Sequence, residues 1–377
     1  MEGAEAVNRN QIRISVPPGS FTVLKKGAAK TSSRSKLTEP VLENELIRYT
    51  FAPDGSLLSV YDKTCHRELM AQPGNIMALY KDLPPVYDAW ETEIYYKRNE
   101  IGTMQGEWLG GSSDHVAAEL NFVFKSEKST MNQTIRLRPD SKRLDFITNV
   151  DWHEDHLMLR TEFPTVIRGR AFFDIQYGQY ERATHDNTSW DEAKYEVCGQ
   201  KYADLSCSDF GMAILNDCKY GYRIKDGNIS LSLLRSPKYP DFEADMGKHS
   251  FVYSLYPHEG DLTASDVCSE AAALNRTPFI AEGFAAPEAF DFPCRIKGEG
   301  VSLEIVKKAE KSNARIVRLV EYKGRFSKAE LQFGKKIKKV SYTNLIEWES
   351  GDELPLLDQC ANITLKPYEI ITLKLEA

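Results

Sequence analysis

From Leu42 onward, apolar positions recur at every second residue. Ile47, Tyr49 and Phe51 share one face of an extended chain, and Arg48 and Thr50 take the other. Pro53-Asp54-Gly55 then supplies turn chemistry, and Leu58 and Val60 return, so the segment predicts a hairpin. The same alternation marks Leu120, Phe122 and Phe124, then Ile135 and Leu137, then Leu144, Phe146 and the run to Val150, with Arg138-Pro139-Asp140-Ser141 as a turn between two of them. Further short runs cover 157–163, 171–177, 211–215, 229–234 and 251–255. Most are β-branched or aromatic and bounded by Gly, Pro, Asn or Asp, which predicts a large antiparallel sandwich. A helical repeat is hard to find. The nearest is Ser265 to Leu274, short and Ala-rich. Without alternating strand and helix, a Rossmann fold and a TIM barrel are both excluded.

Two breaks interrupt this pattern. Residues 1–40 carry Ile12, Ile14 and Val16, then Pro17-Pro18-Gly19, a short run at Phe21 and Val23, and a basic Ser-rich stretch from Lys30 to Lys36. They hold too few apolar residues for a core and read as a lead-in strand followed by a flexible linker. The second break begins at Glu282-Gly283 and extends to Pro293. Beyond it, alternating positions at Val301, Leu303, Ile305, Ile316 to Val320, Leu331, Phe333, Ile363, Leu365 and Ile370 to Leu375 predict a small separate β-sandwich over 294–377. The large sandwich is expected over 41–282. The basic run Lys335, Lys336, Lys338 and Lys339 reads as a solvated sheet edge.

Charge and cysteine content narrow the function. With 48 basic and 55 acidic side chains the formal net charge is -7, so a broad phosphate-binding face is not expected and nucleic acid is not a partner. No stretch approaches the ~20 apolar residues of a membrane helix, and the N-terminus has no signal-peptide core. The seven cysteines are odd in number and form no CxxC pair, as free thiols of a soluble cytoplasmic chain would.

Polar and aromatic residues concentrate in four segments. They are Tyr87 to Glu91 with Tyr95-Tyr96, Gln179 to Asp191, Leu215 to Tyr222, and Arg235 to Asp245. Such mixtures suit sugars: aromatic faces stack on the C–H face of a pyranose, and carboxylates, amides and Arg bond its hydroxyls. Exposed turns share that composition, so the pattern alone leaves both readings open. His185 with Glu181 or Asp186 could form a general-base pair. In Trp152-His153-Glu154-Asp155-His156 the two histidines fall on opposite faces of a strand and do not suit one metal. No P-loop, GxSxG, HExxH or GxGxxG motif occurs.

Taken together, an ordered series of motifs resembles a known family. It runs from Leu42-Glu43-Asn44-Glu45, Ser59-Val60-Tyr61-Asp62-Lys63 and Asp88-Ala89-Trp90-Glu91 through Tyr180-Glu181-Arg182 and Asn187-Thr188-Ser189-Trp190-Asp191. Leu215 to Gly221, Leu234-Arg235-Ser236-Pro237, Pro240-Asp241, Tyr256-Pro257-His258 and Pro367-Tyr368-Glu369-Ile370 continue it. The chain resembles the C-terminal, non-catalytic β region of a glycoside hydrolase family 38 α-mannosidase of the bacterial and cytosolic kind. The resemblance implies an all-β fold: a large antiparallel supersandwich like galactose mutarotase, then a small C-terminal β-sandwich. It implies retaining hydrolysis of terminal α-D-mannose, with a carboxylate nucleophile and a zinc ion. In such enzymes these lie in an N-terminal domain whose patterns are not found here. The chain is therefore expected to act as a fragment, inactive alone and without a catalytic or metal-ligating residue of its own.

The resemblance also implies substrate contacts at the rim of the active site, from Arg235, Trp90, Asp88, Asp217 and Tyr220. Arg235 could instead be an internal ion-pair partner of Asp241 or Asp245, and Trp90 a core residue. The implied partners are mannosides and oligosaccharides, the missing catalytic domain and, as an option, further copies of the chain. Two other functions stay open: a free-standing carbohydrate-binding module, and a mutarotase- or epimerase-like enzyme using His185 and Glu181.

Overall fold

A computed structural model describes residues 5–8, 11–13, 34–276, 278–281 and 292–377. Most of the lead-in, including Pro17-Pro18-Gly19 and Phe21-Val23, and most of the 282–293 break lie outside the described residues. The chain divides into two compact units, one holding most of 34–276 and the other 292–377.

The first unit is built on a ten-stranded and a six-stranded antiparallel sheet, with a four-stranded one beside them. The larger sheet runs Gly178–Arg182, Arg170–Ile175, Tyr202–Ser206, Phe210–Asn216, Gly247–Glu259, Leu144–Trp152, Thr130–Leu137, Ala118–Lys125, Gln105–Ser113 and Ser35–Leu37. Its last strand occupies the end of the segment read as linker. The smaller runs Val197–Cys198, Gly221–Lys225, Asn228–Leu234, Leu157–Pro164, Ile76–Lys81 and Glu100–Thr103.

Alternation explains the core. Leu120, Phe122, Phe124, Ile135, Leu137, Leu144, Phe146 and Phe163 all point into one buried cluster. Phe146 and Tyr253 are register partners on neighbouring strands, and their rings stack 4.7 Å apart. Polar groups inside the cluster satisfy one another. Asn75 donates to Gln133 at 3.1 Å, Gln133 donates to the Tyr253 hydroxyl at 2.9 Å, and that hydroxyl donates back to Asn75 at 2.8 Å.

The hairpin of Ile47–Phe51 and Leu57–Asp62 departs from expectation in one detail. A register shift between Thr50 and Phe51 turns Leu57 and Val60 inward, and Leu58 is 46% exposed. Gly55 closes the turn at φ 86°, where a Cβ would meet the Phe124 ring at 2.5 Å. The helical segment Val267–Asn275 packs Val267 and Ala271 against Tyr202, Ala213 and Leu215. Arg143, buried, fastens it by donating to Glu270 at 2.7 Å while paired with Asp145.

The second unit stacks a three-stranded sheet (Cys294–Lys297, Ser327–Phe333, Cys360–Leu365) and a five-stranded one (Val301–Lys308, Arg315–Glu321, Ile370–Glu376, Lys339–Thr343, Ser350–Glu353) over their own core. The lysine run is solvent-exposed, but it does not form a sheet edge. It leads into Lys339–Thr343, which is paired on both sides. At the end of Arg315–Glu321, the buried Glu321 carboxylate accepts from the backbone N–H groups of Lys323, Gly324 and Tyr368 and from the Ser327 hydroxyl.

Candidate functional site

Trp152 is fully buried at the end of its strand, and its indole N–H donates to the Ser236 hydroxyl at 2.8 Å. That bond fixes the start of the 235–246 loop. His156, in the left-handed region at φ 50°, joins the same loop by donating its backbone N–H to the Ser236 carbonyl at 2.9 Å. The His156 carbonyl in turn accepts from Asp82 N–H, also at 2.9 Å. Three loops of different sequence origin thus meet at one point.

Arg235 ties them together. Its Nε donates to Asp82 at 2.5 Å, and its Nη2 donates to the carbonyls of Glu91 at 2.7 Å and Asp88 at 3.2 Å. The partner is Asp82, which is 3% exposed; Asp241 and Asp245, the partners considered from sequence, are not paired with it. Burial raises the Asp82 pKa above the ordinary carboxylate range, and the guanidinium opposes the shift without cancelling it. Nη1 of Arg235 makes no hydrogen bond among the described residues and is the one edge left for an outside acceptor.

Asp88 is the second organiser. Its Oδ2 accepts from the backbone N–H groups of Lys238 at 2.6 Å and Tyr239 at 3.2 Å and lies 3.2 Å from His156 Nε2. Beside it, Tyr87 adopts φ 56°, an unusual conformation for a bulky residue, and its carbonyl accepts from Trp90 and Glu91 N–H at 2.8 Å. The result is a tight turn that holds Trp90 65% exposed, not packed in the core. Lys238 extends the bracing by pairing with Asp155 at 2.7 Å and donating to the Phe242 carbonyl at 3.0 Å. The ammonium groups of Lys128 and Lys238 hold the Asp155 carboxyl down to about 2.

Asp217 and Tyr220 occupy a neighbouring loop and are both exposed. Asp217 exchanges bonds with Val252, whose N–H donates to its carboxylate at 3.1 Å. No hydrogen bond or ion pair among the described residues links either one to Arg235, Asp88 or Trp90. The structure therefore joins Arg235, Asp88 and Trp90 into one cluster and leaves Asp217 and Tyr220 adjacent in role only.

The stem of the 82–98 loop rests on a residue that sequence reasoning passed over. Arg160 is almost fully buried on Leu157–Pro164, pairs with Glu196 at 2.6 Å and lies 5.7 Å from the Tyr96 ring centre. The Tyr96 hydroxyl donates to the same Glu196 at 2.9 Å. A charged residue within an otherwise apolar strand was the available signal.

Other candidates separate. Glu181 pairs with Arg170 instead of His185, and His185 sits 3.8 Å from Asp191, so the proposed general-base pair with Glu181 does not form. His153 bonds Asp151 and His156 faces Asp88. Among the described residues no group of three or more His, Cys, Asp or Glu could hold a metal ion, so these residues do not fit a zinc site. No helix among them is long and apolar enough to cross a membrane.

Comparison with known proteins gives a consistent picture. Residues 42–243 match the glycosyl hydrolases family 38 C-terminal domain, and residues 300–373 match the family's C-terminal β-sandwich domain. Alpha-mannosidase G of Dictyostelium discoideum is 35% identical over 351 residues, covering 89% of this chain and 32% of that protein. Alpha-mannosidase 2C1 of Mus musculus is 34% identical over 346 residues, covering 89% and 33%. The chain thus spans about a third of the length of these curated relatives. A family 38 protein of Enterococcus faecalis shares the fold at a TM-score of 0.71 and 18% identity, over 93% of this chain and 46% of that one.

Proposed function

Because this chain belongs to glycosyl hydrolase family 38, as its C-terminal β region, we propose that it serves an α-mannosidase that releases terminal α-D-mannose with retention. In this reading it supports the fold and lends substrate contacts to the rim of the active site. The nucleophile and the zinc ligands belong to polypeptide outside these 377 residues. The setting is the reducing cytoplasm, in keeping with seven unpaired cysteines.

The observation that carries this reading is the Arg235 clamp. A guanidinium, a buried carboxylate and two backbone carbonyls lock the 82–91 turn. That turn holds a tryptophan in water, where burial alone would place it inside. A structural turn has no need of an exposed indole. A sugar site does, because the ring stacks on the C–H face of a pyranose. Asp88, Nη1 of Arg235, Asp217 and Tyr220 then stand as hydroxyl-directed contacts. The chain alone should not hydrolyse an aryl α-mannoside, and activity should return when the catalytic polypeptide is supplied. Turnover by this chain alone, persisting after zinc is chelated, refutes the proposal.

A further inference from the structure

Trp90 is not the only aromatic side chain held in water at this place. Tyr87 is 65% exposed, Tyr239 66% and Phe242 75%. Tyr87 and Trp90 flank Asp88 in the chain, and the Asp88 carboxylate accepts from Tyr239 N–H. One side chain therefore ties the backbone of both loops together. Phe242 is fixed through its carbonyl by Lys238, and Asp241 caps the turn by accepting from Glu243 N–H at 2.9 Å. The backbone is braced and the rings are free. Contiguous exposed aromatics on a rigid frame mark an interaction site, and the ordering cost of binding is met before the ligand arrives.

Resting on the function proposed above, we infer that Tyr239 and Phe242, with Tyr87 and Trp90, form a stacking platform for the second and third sugars of an oligosaccharide, beyond the mannose that is cleaved. Each aromatic ring is about the size of one pyranose, so a single sugar cannot engage both loops. Glu91, Asp241 and Glu243 stand exposed among the rings. Their carboxylates accept hydroxyl hydrogen bonds and repel an anionic lipid surface. The platform selects oligomannosides over simple mannosides.

The test titrates the full chain with methyl α-D-mannoside, α-linked mannobiose and α-linked mannotriose, read by tryptophan fluorescence and calorimetry. Affinity should rise with the number of rings. Tyr239→Ala and Phe242→Ala should each weaken mannotriose about two- to tenfold, the loss of one aromatic contact, and leave methyl mannoside unchanged. Both side chains are exposed, so the melting temperature should hold. Tyr239→Phe should bind as the parent does, because the face stacks and the hydroxyl does not. Equal affinity of the alanine variants and the parent for mannotriose overturns the inference alone. If no mannoside binds and the catalytic polypeptide restores no hydrolysis, the proposed function falls and takes the inference with it. If Phe242→Ala loosens attachment of the catalytic polypeptide but spares saccharide affinity, the ridge is a protein contact and the inference is overturned.

Discussion

Arg235→Ala removes the clamp and isolates Asp82. Asp82 is 3% exposed and the Arg235 side chain 18% exposed, so the pair is screened only from the arginine end. Removing one partner of a fully buried pair costs about 3–5 kcal/mol, mostly from the stranded charge. Partial exposure reduces that, and two released carbonyl bonds add to it, which gives a loss of roughly 2–4 kcal/mol. The sign of the pH dependence follows from Asp82. Its folded pKa is already raised by burial, and loss of the guanidinium raises it further. A carboxyl with a raised folded pKa favours the folded state at low pH and disfavours it as pH climbs through that value. The variant should therefore lose less at pH 5 than at pH 8. Urea unfolding at both pH values measures this, and Asp82→Asn completes a double-mutant cycle whose coupling should exceed about 1 kcal/mol. Hydrogen exchange at Trp90 and Glu91 should quicken. A stability loss under about 1 kcal/mol, no coupling and unchanged exchange would refute the clamp and return Arg235 to the solvent.

Two further predictions concern buried charge. Burial lowers the His258 pKa, but the Asp204 carboxylate at 2.7 Å outweighs it and the net shift is upward. His258 thus contributes stability that is full below about pH 6.5 and fades as pH rises through its higher folded value. His258→Asn should abolish that slope and cost about 3–5 kcal/mol by stranding Asp204; a parental pH–stability curve in the variant contradicts this. In the small sandwich, Glu321→Gln turns an amide NH2 toward backbone donors and should cost about 2–4 kcal/mol. Faster hydrogen exchange across Arg315–Glu321 reports that loss, and parental exchange rates there would show the carboxylate to be dispensable.

Chain pattern alone determined the strand content and the makeup of the two cores. An alternating strand needs only its own residues to define a buried face, so Leu120, Phe122 and Phe124, or Leu331 and Phe333, announce themselves. The helix near Val267 was legible for the same local reason. Leu58 was misread because a one-residue register shift is set by the partner strand, which local alternation does not report. The site needed more. Arg235 and Asp82 stand 153 positions apart, and Arg160 and Glu196 stand on different strands and loops. Glu181 had several cations in reach by sequence, and the fold brought it Arg170. Which charge meets which, and which aromatic ring stays in water, depend on how sheets place distant loops side by side. Tertiary structure decided those pairings, because electrostatic and hydrogen-bond partners are chosen by distance in space, whereas burial of a strand face is written in every second residue.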